Sequence, residues 1–178
     1  MAGEIYSANK ELKKGYEITY ATASFGQGIE ITPMQLARAY SALANGGYLP
    51  TPYLKEQEPE LSKSVISQRT ASQVTAMLVS VTENGYSKAA QVPGYYVAGK
   101  TGTAQVSNSA LGINKSGYSD KTVQSFIGYA PAFEPEFLVL VVLHNPKTKT
   151  AEYSAIPVFQ ELAKYILDYY EIPPDHEE

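Results

Sequence analysis

The sequence contains no cysteine, no tryptophan and only two histidines. Without cysteine the chain forms no disulfide, offers no thiolate nucleophile and builds no sulfur-ligated metal site, and its redox compartment stays open. His144 and His176 are too few and too far apart for a ligand cluster, so neither a metal nor another cofactor is implied. Charge is sparse too: 18% of residues, with 14 basic against 18 acidic, for a net −4. There is no basic stripe to neutralise a phosphate backbone, which argues against nucleic acid as a partner. No apolar run is long enough to span a bilayer. The opening "MAGEIYSANK" lacks the charged-then-apolar pattern of a secretion signal.

What is present suits one compact domain: 178 residues, 44% of them hydrophobic. After a polar lead over residues 1–20, Thr32 as N-cap, Pro33 at the first helical position and Met34, Leu36, Ala37, Tyr40, Leu43 and Ala44 predict a helix stopped by Gly46 and Gly47. "YLPTPYLKEQEPE" reads as extended surface chain. A second helix is predicted after Ser67, with Ala71, Val74, Met77, Leu78 and Val81 on its inner face, ending at Asn84 and Gly85.

Three runs rich in β-branched and aromatic residues predict strands: "GYYVAGKTGTAQV", "SFIGYA" and "EFLVLVVL". "PAFEP" joins the last two as a hairpin loop, and residues 107–124 read as a polar surface loop. The run at 137–143 is apolar at every position, so both its faces should be buried and both its edges should have neighbours. A last helix from Pro157 would turn Val158, Phe159, Leu162, Ala163, Ile166, Leu167 and Tyr170 inward. The fold class is α+β, an antiparallel sheet of about three strands flanked by helices. Tyr95, Tyr96, Tyr118 and Tyr129 could line a sugar or peptide groove but read more simply as sheet residues with tips reaching water, His144 reads as structural, and the acidic tail from Asp175 as disordered.

The chemistry concentrates in "VAGKTGTAQV", residues 97–106. In an extended strand Thr101, Thr103 and Gln105 share one face, while Lys100 and Gly102 share the other. Two hydroxyls in a row suit a ligand carboxylate or amide carbonyl. Gly102, having no side chain, leaves room for another backbone to approach, as on an edge strand that receives an extended peptide. Lys100 adds a positive charge, and a lysine beside a serine can relay a proton when burial or neighbouring charge lowers its pKa. The same residues also fit an ordinary strand with a bulge at Gly102 and a solvated lysine.

Lys100-Thr101-Gly102 resembles the third signature of penicillin-binding proteins and serine β-lactamases. The likeness extends through "ATASFGQGIEITPMQLARAYSALANGG", "ENGYSKAAQVPGYYVAGKTGTAQV", "SFIGYAPAFEPEFLVLVVLHNPK" and "AIPVFQELAKYILDYYEIPP". In that order they resemble the C-terminal part of the transpeptidase domain of class B penicillin-binding proteins, from Ala21 to about residue 172. The resemblance implies an incomplete copy of that fold, with the Lys-Thr-Gly strand walling the active site. It implies that Lys100 supports the proton network and that Thr101 and Thr103 hold a substrate or β-lactam carboxylate. Gly102 and Gln105 would line the same track, and the Thr103 N–H would donate to the oxyanion. The implied partners are the D-Ala-D-Ala stem peptide of peptidoglycan and β-lactams. The implied location is outside the cell, on a parent anchored in the cytoplasmic membrane.

The family's nucleophile is the serine of a Ser-x-x-Lys motif, and here the sequence departs from the pattern. The only match, Ser7 to Lys10 in "SANK", also holds the only Ser-x-Asn, and it lies in a polar stretch too close to "SFGQG". The chain is therefore expected to lack a nucleophile, with "GE" at 3 and 4 near the point where the family enters this region and the lead partly added ahead of it. It should pair with the missing N-terminal part of its domain, self-associate through the 137–143 edge, or be marginally stable. A D,D-carboxypeptidase, a β-lactamase and a non-catalytic peptide-binding module remain alternatives on these residues.

Overall fold

The computed structural model describes residues 17–54 and 63–176. Its elements run α1 (Glu17–Ala23), α2 (Pro33–Ala44), β1 (Tyr48–Leu49), β2 (Lys63–Ser64), α3 (Gln68–Asn84), β3 (Ala98–Ser107), β4 (Tyr118–Ala130), β5 (Phe137–His144) and α4 (Ala155–Tyr169). Single 3-10 turns stand at Lys88–Ala90, Ser109–Leu111 and Ala151–Tyr153. The fold is α+β, with one antiparallel sheet in the order β3-β4-β5 and a small second sheet of β1 and β2.

The helix starts follow capping chemistry. Thr32 accepts the Gln35 N–H at 3.2 Å while the Gln35 side chain accepts the Thr32 N–H at 3.0 Å, a closed capping box ahead of Pro33. α2 ends at Ala44 with Asn45 as C-cap, and the chain turns away through Gly46 and Gly47, the latter at φ 106°, where a Cβ would lie 2.1 Å from the Ile66 carbonyl oxygen. Ser67 caps α3 by accepting the Thr70 N–H at 3.1 Å.

The buried stripe of α3 differs from the sequence expectation. It consists of Ala71, Thr75, Leu78, Val79 and Thr82, whereas Met77 is 66% exposed. Two threonines enter the stripe because their hydroxyls find partners. Thr75 bonds the Tyr129 phenol at 2.7 Å, and Thr82 reaches the Val97 carbonyl at 2.6 Å. The tip of Tyr129 therefore meets a threonine rather than water. On α2 the buried residue is Ala42, and Met34 is exposed.

Two cores flank the sheet. On one face Phe126 and Val141 pack under Ile156, Phe159, Ala163 and Leu167 of α4, with the Phe126 and Phe159 ring centroids 4.6 Å apart. On the other face Ala98 and Tyr129 meet Leu78 and Val79 of α3, with Tyr40 and Leu43 of α2 packed beside them. The inner line of α4 is thus Ala155, Phe159, Ala163 and Leu167, with Ile156 beside it, while Val158, Leu162 and Tyr170 are exposed. Alanines at every second turn, Ala155 and Ala163, alternate with the large buried Phe159 and Leu167 along this line.

β5 touches both layers, since Leu138 packs on the α3 side and Val139 and Leu143 on the α4 side. Only Val141 is buried, the other apolar positions being half-buried. Among the described residues no strand pairs with the outer edge of β5 or with that of β3.

The sheet is longer than expected. β3 reaches Ser107 and β4 begins at Tyr118, so much of the stretch read as a loop is ladder, with Thr103 opposite Gln124 and Gln105 opposite Thr122. Backbone pairing extends this hairpin beyond the hydrophobic core, where apolar patterning gives no sign of it. Asn108 closes the turn by donating from Nδ2 to the Ser116 carbonyl at 3.1 Å. Asp175 and His176 are held in place: Asp175 accepts the Tyr96 N–H at 3.0 Å, and the His176 ring stacks on Tyr96 at 4.2 Å. A hydrogen-bonded carboxylate and a stacked ring overturn the expectation of disorder there.

Candidate active site

The strand bearing Lys100, Thr101, Gly102, Thr103 and Gln105 is held from behind and open at its edge. Thr82 fixes the Val97 carbonyl just before β3 begins. Gly99 lies against the Phe126 ring, where a Cβ would come within 2.4 Å of Cζ. From Lys100 onward the strand leaves the core. Lys100, Thr103 and Gln105 are exposed, and Thr101 and Gly102 are half-buried. Alternate N–H and C=O groups of an edge strand point away from its neighbour, so β3 presents main-chain donors and acceptors along its outer side.

The two faces divide as the strand period requires. Thr101 and Thr103 lie on the α4 side with Gly99, while Lys100 and Gly102 lie on the α3 side with Ala98. The Lys100 Nζ donates to the Thr101 carbonyl at 3.2 Å and stands 3.5 Å from the Thr101 hydroxyl. Thr103 Oγ1 accepts the Ala151 N–H at 3.3 Å, which ties the strand to the turn before α4. Gln105 donates from Nε2 to the Ser119 carbonyl at 3.4 Å. Beside Gln105 a cleft of about 280 Å³ separates the far half of β3 from the 26–30 turn, with Gly28, Glu30 and Tyr118 among its walls.

Gly102 behaves differently from the expectation. The ladder is in register through it, and the irregularity comes later, between Gln105 and Ser107. The space above Gly102 is filled from within the sheet: a Cβ there would lie 2.5 Å from Ser125 Oγ, the residue directly opposite. A side chain at 102 would therefore have to displace the Ser125 hydroxyl, which lies on the same sheet face as Lys100. Sequence reasoning missed Ser125, and it missed Gln124, a fully buried glutamine opposite Thr103. Extending the strand alternation of "SFIGYA" back to Tyr118 would have placed both. Of the tyrosines named from the sequence, Tyr118 lines the cleft beside Gln105, whereas Tyr129 is inside and Tyr95 bonds the Ile172 carbonyl through its phenol. The "SANK" motif at 7–10 lies outside the described residues, as does the "GE" at 3 and 4.

No helix among the described residues is long and apolar enough to cross a membrane. The family model described as the penicillin binding protein transpeptidase domain matches residues 2–167. Stage V sporulation protein D of Bacillus subtilis is 40% identical over 144 residues, covering 73% of this chain and 21% of that protein. The probable peptidoglycan D,D-transpeptidase PenA of Neisseria flavescens is 35% identical over 177 residues, covering 97% of this chain and 43% of its own length. Among solved structures, the transpeptidase domain of Burkholderia pseudomallei penicillin-binding protein 3 superposes with a TM-score of 0.78 at 35% identity, over 91% of this chain and 49% of that one. Penicillin-binding protein 3 of Mycobacterium tuberculosis, complexed with ampicillin, gives a TM-score of 0.80 at 29% identity, over 98% of this chain and 42% of the other. This chain thus spans half or less of the length of these relatives. With a family match running from residue 2 to residue 167 and the Lys-Thr-Gly-Thr strand on an open sheet edge, the chain belongs to the penicillin-binding protein transpeptidase domain family.

Proposed function

We propose that residues 21–172 form one portion of a class B peptidoglycan D,D-transpeptidase domain and supply the β3 wall of its active site. The observation that carries this reading is the edge position of β3, with Lys100, Thr103 and Gln105 exposed along it. A D-Ala-D-Ala stem peptide lies along that edge with its carboxylate at the Thr101 and Thr103 hydroxyls. A serine oxygen, supplied by another part of the domain, attacks the carbonyl carbon of the penultimate D-alanine. The terminal D-alanine leaves with a proton, and the acyl-enzyme then passes its acyl group to an amine on a second strand, which restores the serine. Lys100 brings a positive charge to the proton network, the Thr103 N–H faces the developing oxyanion, and Gly102 and Gln105 line the track. β-Lactams occupy the same place, a reading supported by the ampicillin complex of the Mycobacterium tuberculosis neighbour.

In this proposal the nucleophile is not "SANK", so the 178-residue chain alone is inactive. The outer edge of β5 receives the rest of the domain or a second copy. The parent is anchored in the cytoplasmic membrane with this domain outside the cell. The test is covalent labelling by a fluorescent penicillin. The complete protein should be labelled, with the rate lowered by Thr103→Val, while the 178-residue chain should not be labelled. Labelling of the chain that disappears with Ser7→Ala would refute the assignment of the nucleophile. Cross-linked rather than trimmed product from the complete protein distinguishes transfer from the carboxypeptidase and β-lactamase alternatives.

A further inference from the structure

Gln124 is a fully buried glutamine whose side chain uses every hydrogen-bonding position it has. Its Nε2 donates to Thr122 Oγ1 at 3.0 Å and to the Thr148 carbonyl at 2.7 Å. Its Oε1 accepts from Thr148 Oγ1 at 3.2 Å and from Ser154 Oγ at 2.5 Å. Ser154 directly precedes α4, yet its hydroxyl makes no capping bond and is turned to Gln124 instead. One side chain of β4 thereby grips both ends of the 148–154 turn. In the middle of that turn is Ala151, 1% exposed, whose N–H donates to Thr103 Oγ1 at 3.3 Å. The cross-strand partner of Gln124 is Thr103 itself.

We propose that Gln124 is a positioning residue: by pinning the 148–154 turn it holds the Ala151 N–H on the Thr103 oxygen and so narrows the directions in which the Thr103 hydroxyl can donate. A hydroxyl has one hydrogen and two lone pairs. With one lone pair taken by Ala151, the hydrogen keeps two of its three staggered positions, both pointing away from the turn. A ligand carboxylate on the other side of the oxygen meets a donor with one of its positions already excluded, so part of the ordering of that rotor precedes binding. Gln124 itself touches no ligand. The inference rests on the reading above, in which Thr103 binds the carboxylate.

The test is a double-mutant cycle in the complete protein, with the acylation rate by a fluorescent penicillin as the readout. Thr103→Val should slow acylation by about 10- to 100-fold, the range expected for a hydrogen bond to a charged group. Gln124→Leu should slow it by about 10-fold when Thr103 is present and by less than about 2-fold when Thr103 is already valine. Ser154→Ala, which removes one bond of the hub and leaves the others, should give a smaller loss with the same dependence on Thr103. With the methyl ester of the penicillin, which carries no carboxylate, none of these dependences should remain. Equal losses for Gln124→Leu in both backgrounds, or unchanged acylation in a folded Gln124→Leu protein, would overturn the proposal and leave Thr103 as the carboxylate site. Unchanged acylation in Thr103→Val would overturn the carboxylate reading and this inference with it. Should Gln124→Leu not fold, Ser154→Ala decides by the same comparison.

Discussion

The hydroxyl pair Thr75 and Tyr129 joins α3 to the centre of the sheet, and breaking it has a calculable consequence. The two oxygens lie 2.7 Å apart, and the residues are 5% and 0% exposed. Tyr129→Phe leaves the Thr75 hydroxyl buried without that partner, and Thr75→Val does the same to the phenol. Each should destabilise the fold by about 1–3 kcal/mol. For a chain of this size that is a fall in Tm of about 2–4 °C for each kcal/mol. The double variant removes both polar groups, so its loss should be close to that of one single variant, leaving a coupling energy of about 1–3 kcal/mol.

The Tyr129 phenol of the pair also titrates. Burial pushes the Tyr129 phenol above its ordinary value near 10, the Thr75 bond pulls it part of the way back, and Tyr40 raises it again. A raised folded pKa favours the protonated form in the native state. Its contribution is therefore complete below about pH 10, and it is lost above that, where the unfolded chain ionises first. Urea titrations followed by circular dichroism between pH 8 and pH 11 measure both effects. Stability should fall above pH 10, and less steeply in Tyr129→Phe. Additive single losses, or an identical alkaline slope in wild type and Tyr129→Phe, would refute the reasoning.

Three further outcomes follow from particular contacts. Gly99→Ala should destabilise by about 1–3 kcal/mol in thermal melts, because the new methyl would enter the Phe126 ring, which Phe159 holds from behind. Asp175→Asn should speed amide exchange at Tyr96, since a carboxylate whose two oxygens lie 3.0 and 3.2 Å from that nitrogen becomes an uncharged acceptor. Sedimentation of the 178-residue chain at micromolar concentration should show association or a low melting point, because both outer strands of the β3-β4-β5 sheet lack a partner among the described residues. A monodisperse, high-melting monomer would contradict that last expectation.

Element types were legible in the sequence wherever local chemistry decides them. Thr32 with Pro33, Ser67, and the glycines after α2 marked helix ends that the structure places within a residue or two. Helix faces were less legible, because apolar counting excludes residues that are buried through a polar bond. Thr75 and Thr82 displaced Met77 from the inner face of α3 for that reason. The hairpin extension from Tyr118 was hidden because ladder bonds, rather than a core, hold it. At the candidate site the strand residues and their exposed edge could be read directly. The use of Gly102 could not, because its neighbour Ser125 is fixed by register alone. Gln124 was invisible for a related reason: its partners, Thr148 and Ser154, lie 24 and 30 residues away.

The central claim is that the open edge of β3 holds a D-alanyl carboxylate. A crystal structure of the complete protein acylated by a penicillin tests it most directly. The carboxylate should lie about 2.5–3.0 Å from the Thr101 or Thr103 hydroxyl, with the antibiotic beside the outer edge of β3. An acyl group bound elsewhere, its carboxylate out of reach of both threonines, would contradict the claim.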